Sequence, residues 1–193
     1  MTLTKDMILD VAEQVFRRFG PSKTSVVDVA RALNLSHGNL YRFFSSKTAL
    51  REAVTERWSQ QILVPLNDIL EQPFDSSITR LRTWLETLIY IKHEKANEDP
   101  ELFRLYAAVT EERGASVERH FNELVRQIKV IVESGIDSKE FLAGDPTQIA
   151  TGILIATSRF HHPAHFRDWK SSFMKDQVDN VCNIVLRGIV NPD

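Results

Sequence analysis

His37, Gly38, Asn39, Tyr41 and Arg42 make a short run of small, amide, aromatic and basic groups interleaved with Leu40, Phe43 and Phe44. On a helix, Leu40, Phe43 and Phe44 would point inward and leave the others outward or at the edges. Such a surface suits hydrogen bonds to base edges and phosphates of duplex DNA. Gly38 costs a helix about 1 kcal/mol relative to alanine, and its bare backbone lets a helix approach a duplex closely. Lys47 opens the next helical run, where a cation opposes the helix dipole. A DNA phosphate would supply the compensating charge there, and free amides at a helix start are themselves phosphate donors. The plain alternative for the whole run is a polar face on a small three-helix domain.

The elements that must position these groups span Thr24 to Lys47. Val26, Val29, Ala30 and Leu33 recur at helical spacing and bury one face of a first helix. Thr24 or Ser25 suits the cap of that helix, and Asp28 suits the positive end of its dipole. Asn34 tolerates the left-handed backbone that ends a helix and turns the chain. Leu35 plugs the angle between the two helices, and Ser36 caps the second.

Phe19-Gly20, Thr24-Ser25-Val26, Asp28-Val29-Ala30, Leu35-Ser36, Gly38-Asn39-Leu40-Tyr41, Phe44 and Lys47 together resemble the DNA-binding domain of the TetR family of bacterial transcriptional regulators. The likeness runs over about residues 5 to 57; beyond 57 the chain carries no comparably diagnostic motif. It implies a dimeric repressor that leaves its operator when a small molecule binds the C-terminal domain. It also implies a DNA-contacting set of Thr24, Ser25, Ser36, His37, Gly38, Asn39, Tyr41, Arg42 and Lys47. Asn39, His37, Tyr41 and Arg42 would read or position at the groove, and Thr24, Ser25 and Lys47 would anchor phosphates. His37 departs from the lysine often found at its position in the family.

The 193 residues allow one domain or two small ones, and 42% hydrophobic with 26% charged residues is ordinary globular composition. Residues 1–57 hold nine Lys/Arg against six Asp/Glu, a balance of +3, whereas the remainder holds 15 against 20, a balance of −5. The basic excess therefore lies with the motif, as a nucleic-acid reader needs. The single cysteine, Cys182, rules out an intramolecular disulfide framework, and its helical context makes it a small buried hydrophobe. No apolar signal core and no membrane-length apolar stretch appear, so the expected location is the cytoplasm.

The fold expected is all-α, with about nine helices. A three-helix DNA-binding domain with a helix-turn-helix occupies 1–57, and a ligand-binding and dimerisation domain occupies 58–193. The first helix runs from Thr4 or Lys5 to about Phe19, where Gly20-Pro21 stops it. Arg17, Arg18 and Lys23 could touch flanking phosphate or simply be solvated. A fourth helix, capped by Ser45 or Ser46, runs to about Leu70, with a kink or break expected near Val64 because Pro65 removes a donor. If continuous, that helix links the DNA reader to the rest of the chain.

A fifth helix fits Ser77 to Asn97, with Ile78, Leu81, Leu85, Leu88 and Ile89 on one face. Asp99-Pro100 starts a sixth, and Gly114 ends it. A seventh runs from about Ser116 to Glu133, with Phe121 inward and Ser134-Gly135 as its stop. Asp145-Pro146 starts an eighth, with Pro at the first helical position, which Pro163 halts near His161. A ninth spans about Asp168 to Val190, including Phe173. By the family resemblance these last two helices, about 145–190, would pair with a second copy.

Further chemistry is sparse. There is no phosphate loop, Ser-centred elbow or metalloprotease motif, so no catalytic residue is assigned. Trp58, Trp84, Phe103, Tyr106, Phe121, Phe160 and His161 could line an apolar cavity for a hydrophobic or aromatic effector, although core packing explains any one of them. His161, His162 and His165, with Asp168 following, could bind a divalent metal, line a ligand pocket or interface, or cap a helix end. Pro163 interrupts the spacing a metal would need, so no metal or cofactor is assigned. The functional expectation is a DNA-binding repressor with a small-molecule effector. The alternatives are a metal-responsive repressor using the histidines and an all-α ligand or interaction protein that does not bind DNA.

Overall fold

The structure, a computed structural model, describes residues 3–172 and 174–192, without the side chain of His37. Among the described residues the chain is all-α. It comprises α1 (Lys5–Phe19), α2 (Val26–Ala32), α3 (His37–Tyr41), α4 (Lys47–Glu71), α5 (Ser77–Glu98), α6 (Pro100–Glu111), α7 (Ala115–Asp137), α8 (Pro146–Ala156) and α9 (Met174–Ile189). Short 3-10 turns occupy Ser158–Phe160, Pro163–His165 and Asp168–Lys170, and one isolated bridge joins Phe141 to Val190. Among the described residues no helix is long and apolar enough to cross a membrane.

The chain divides into two units that interleave in sequence. One comprises residues up to Gln60 with Lys95–His120; the other comprises Gln61–Glu94 with Phe121 onward. In the first unit α1 packs on α2 and α6, and α2 packs on α3. Its core is built by Ile8, Ala12 and Phe16 of α1, Val26 and Val29 of α2, Leu40 and Phe44, and Leu50, Val54 and Trp58 of α4. Arg57 ties α4 to α1 by donating to Glu13 at 2.8 Å and Asp10 at 2.7 Å. In the second unit the α5 stripe of Leu81, Trp84, Leu85 and Leu88 is buried with Ile128 and Ile131 of α7. The Trp84 indole donates to the buried Gln127 carbonyl oxygen at 3.0 Å.

Several boundaries differ from the sequence expectation, each for a physical reason. The helix α4 runs unbroken through Pro65. Pro65 and Gln61, whose carbonyl loses its helical donor, are both exposed, whereas Ile62, Leu66 and Ile69 hold the opposite face in the core. Helix α7 continues past Gly135 to Asp137. The glycine serves packing here: an added Cβ would lie 2.1 Å from the Phe141 ring. Helix α8 ends at Ala156, well before Pro163, and the stretch expected to begin the last helix is instead a series of 3-10 turns. Helix α9 therefore starts at Met174, and Phe173 lies outside the described residues. Phe43 and Phe121, both expected inward, are exposed.

Candidate nucleic-acid interface

The helix pair is assembled by local hydrogen bonds that its sequence encodes. Ser25 caps α2: its hydroxyl accepts from the Asp28 amide at 3.3 Å and donates to the Asp28 carboxylate at 2.6 Å. The same carboxylate accepts the Ser25 amide at 2.9 Å, which completes a reciprocal capping box. These hydrogen bonds from Ser25 hold the Asp28 carboxyl below its usual range, with Arg31 and Lys47 adding to the effect. At the other end Asn34 takes φ 53°. The Leu35 amide then donates to the Ala30 carbonyl at 2.9 Å and the Asn34 amide to Arg31 at 3.1 Å. That pair of bonds is a Schellman closure. It turns the chain within three residues and delivers Ser36, whose hydroxyl accepts the Asn39 amide at 3.4 Å, to the start of α3.

Leu40 and Phe44 anchor α3 and the following turn in the core, fully buried. Ser36, Gly38, Asn39, Tyr41 and Arg42 are exposed together. An added Cβ at Gly38 meets nothing within 4 Å, so internal packing does not demand glycine there. Tyr41 is 41% exposed. Lys47 is half-buried at the first position of α4, and its ammonium donates to the Ser22 carbonyl at 3.2 Å. Ser46 supplies the cap of α4, accepting the Ala49 amide at 3.0 Å.

Not every residue named from sequence is presented this way. Thr24 is buried, and its hydroxyl donates to the Gly20 carbonyl at 2.8 Å. Its side chain fixes the loop between α1 and α2 and offers phosphate no surface. Gly20 itself takes φ 76°, a conformation suited to glycine. Arg17 is engaged by Asp99 at 2.8 Å and Glu13 at 3.2 Å, which makes it a structural tie. The side chain of His37 is outside the described residues.

The aromatic residues named as effector contacts fall in both units. In the first, Trp58 and Tyr106 lie with ring centroids 4.8 Å apart, Trp58 meets Phe103 edge-on at 6.2 Å, and His120 meets Tyr106 at 6.1 Å. Burial raises the Tyr106 phenol, which stays neutral. Around them the hydroxyls of Thr55, Ser59 and Ser116 are buried with no protein partner, an arrangement that carries a desolvation cost. In the second unit Trp84, Phe160 and His161 are buried, whereas Phe121 is exposed.

The histidine run is parted by its surroundings. His161 is buried, with its Nε2 3.2 Å from the Thr157 hydroxyl, whereas the His162 ring caps a 3-10 turn by accepting the Ala164 amide. His165 is exposed, and no group of three or more His, Cys, Asp or Glu among the described residues is placed to hold a metal ion. Sequence reading missed Lys92, which is 1% exposed in the second unit. The signal was present: Lys92 occupies the next helical slot after Leu81, Leu85 and Leu88.

Comparison with known proteins agrees with this geometry. The family profile "Bacterial regulatory proteins, tetR family" matches residues 8–54, and "Tetracyclin repressor-like, C-terminal domain" matches residues 77–182. An uncharacterised helix-turn-helix-type transcriptional regulator of Mycobacterium tuberculosis is 34% identical over 87 residues, an alignment spanning 43% of this chain and 43% of that protein. The transcriptional repressor KstR2 of Rhodococcus jostii is 23% identical over 96% of this chain and 90% of its own. A TetR-family regulator of Pectobacterium atrosepticum shares the fold with a TM-score of 0.72, at 22% identity over 96% of this chain and 93% of that one. The chain belongs to the TetR family, and it is a transcriptional regulator of that type with a helix-turn-helix.

Proposed function

We propose that the protein is a dimeric repressor that reads its operator through α3 and is released by a small apolar or aromatic effector. Residues 1–57 bind DNA, and residues 58–193 bind the effector and a second copy of the chain. The observation that carries the reading is the shared exposure of Ser36, Gly38, Asn39, Tyr41 and Arg42 along α3 and its caps, anchored in the core by Leu40 of the helix and Phe44 of the turn that follows. Tyr41, Asn39 and Arg42 supply base-edge and phosphate contacts. Lys47 and Ser25 flank them for backbone contacts, and His37 shares the helix. A Lys47 ammonium already held by a carbonyl is pre-positioned, so little side-chain entropy is lost on meeting a phosphate.

Dimerisation is supported by what α8 and α9 leave uncovered. Gly152, Ile155 and Ala156 are exposed on α8, as are Ile184 and Gly188 on α9. A Cβ added at Gly152 or Gly188 would meet nothing within 4 Å among the described residues. Small and apolar residues at i, i+3 and i+4 spacing suit close packing against helices of a second copy. Repression is supported by the likeness to KstR2 over most of both chains. The effector reading is supported by the buried aromatic groups of residues 58–193, Trp84 and Phe160 among them.

The test is titration of the protein into labelled duplex from upstream of its own gene at two salt concentrations. Tight binding that resists competitor DNA and weakens steeply with salt is expected. Absence of binding to any duplex at low salt would favour the all-α interaction protein instead.

A further inference from the structure

The loop between α1 and α2 walls an open cleft of about 370 Å³, lined among others by Arg17, Arg18, Ser22, Lys23 and, from α6, Glu101 and Arg104. Four cations beside one carboxylate give the cleft a single dominant sign, and a concave surface of that kind concentrates positive potential. The neighbouring carboxylates are already engaged: Arg17 holds Asp99 at 2.8 Å and Glu13 at 3.2 Å, and Arg104 pairs with Glu101. Arg18 and Lys23 are exposed and have no carboxylate partner among the described residues. The dipole of α1 favours Arg17 and Arg18 in its last turn. It does not account for Lys23, which lies beyond that helix, or for Arg104 on another.

The wall that carries Lys23 is fixed from several sides. Gly20 takes φ 76°, and its amide donates to the Phe16 carbonyl at 2.8 Å. Pro21 restricts the next step of the backbone. The buried Thr24 hydroxyl donates to the Gly20 carbonyl at 2.8 Å, and the Lys47 ammonium donates to the Ser22 carbonyl at 3.2 Å. Lys23 therefore follows a residue bonded to Lys47 and stands two before Ser25, the α2 cap. The Arg18 guanidinium lies 5.1 Å from the Phe19 ring centroid, a contact that orients it without using its N–H donors.

We infer that Lys23 and Arg18 form a second DNA-backbone contact, taking phosphates that flank the half-site read by α3. This inference rests on the operator reading proposed above and extends that interface to the loop between α1 and α2. Lys23 and Ser25 have Cα atoms at most about 7.6 Å apart. Duplex phosphates recur at about 3.4 Å of axis along each strand, so a strand engaged at Ser25 and Lys47 brings a further phosphate within reach of Lys23. A strand already held at α3 presents that phosphate at high local concentration, an advantage a free anion lacks in an open cleft. Such contacts add affinity and salt dependence without base discrimination.

The experiment uses the full-length protein and duplex from upstream of its own gene. Hydroxyl-radical footprinting maps the protected backbone, and the duplex is then shortened to the base pairs whose substitution weakens binding. The parent is expected to bind the long duplex more tightly than the short one and with a steeper salt dependence. Lys23→Ala is expected to lower the slope of log affinity against log salt by about 1 on the long duplex. It should also lose the outermost protected positions while matching the parent on the short duplex. Arg18→Ala should act in the same direction, and Arg18→Lys should retain most of the protection. Both side chains are exposed, so thermal melting should stay at the parent value. Arg31→Ala removes a charge elsewhere on the same unit and should keep the outer protection. Equal parent affinity for the two duplexes, outer protection retained in both alanine variants, or the same loss in Arg31→Ala would each overturn the inference while leaving the operator reading intact. Stabilisation by inorganic phosphate that both alanine variants abolish, with no difference between duplexes, would assign the cleft to a small anion and overturn it as well. Absence of binding to any duplex would overturn the operator reading and this inference with it.

Discussion

Lys47 and Ser22 are joined by a hydrogen bond of 3.2 Å from the ammonium to the backbone carbonyl, which ties the first turn of α4 to the loop ahead of α2. A flexible lysine is thereby held beside the helix pair, at a helix start where positive charge is otherwise disfavoured. Lys47→Ala is expected to weaken operator binding about equally across sequences and to lower the slope of log affinity against log salt by about 1. Thermal melting should change little, because a single partly exposed hydrogen bond is lost. Unchanged affinity and slope would remove Lys47 from the interface.

Tyr41 is held at the end of a helix whose buried side is Leu40, so its ring contributes little to the core. Tyr41→Ala should therefore fold like the parent, while losing about 1–3 kcal/mol of discrimination at the base it meets. Gel-shift measurements on a panel of singly substituted operators would check this. A variant that binds and discriminates as the parent does would show that the ring faces solvent in the complex.

The capping box of Ser25 and Asp28 makes an acid-side prediction. The Asp28 carboxyl is held below its ordinary value, chiefly by its hydrogen bonds from Ser25. Its contribution to stability is therefore full above the unfolded-state value and disappears as pH falls through the lower folded-state value. Asp28→Asn should narrow the stability difference between neutral and strongly acidic pH. Ser25→Ala should cost about 1 kcal/mol at neutral pH. Denaturant melts across that range would measure both, and an undiminished acid dependence in Asp28→Asn would sink the assignment.

Ile155 and Ile184 are exposed at 59% and 70%, so charge at either is tolerated by an isolated chain. Ile184→Glu and Ile155→Glu are expected to fold but to shift the protein from dimer to monomer in light scattering. They should also weaken operator binding, because one protomer contacts only one half-site. A dimer that survives both changes would place the subunit interface elsewhere.

Gly135 is needed for contact, since any Cβ would overlap the Phe141 ring at 2.1 Å. Gly135→Ala should destabilise the fold by about 1–3 kcal/mol despite the better helix propensity of alanine. Gly38→Ala lacks such a neighbour and should leave stability equal or improved, while impairing DNA binding. Chemical denaturation separates the two cases. A stabilised Gly135→Ala would mean that Phe141 repacks without cost.

Much of the DNA-reading element was determined locally and could be read from the residues. The Ser25 and Ser36 caps, the left-handed Asn34 and the buried Leu40 and Phe44 depend on interactions a few residues apart, which sequence spacing records. The same holds for Asp99-Pro100 and Asp145-Pro146, which start α6 and α8 as their types dictate.

Only the tertiary structure decided matters that depend on which neighbour occupies a given space. Pro65 leaves α4 unbroken because it lies on the exposed side, and Gly135 does not end α7 because Phe141 packs on it. Phe43 and Phe121 have the same chemical type as the buried Phe44 and Phe16, yet their places in the fold leave them exposed. Thr24 looked like an available hydroxyl until burial and the Gly20 carbonyl claimed it. Lys92 is the converse: in sequence an ordinary helical lysine, in the fold a buried amine among histidines. Periodicity fixes which residues share a face, whereas burial and electrostatic environment arise from distant segments brought together.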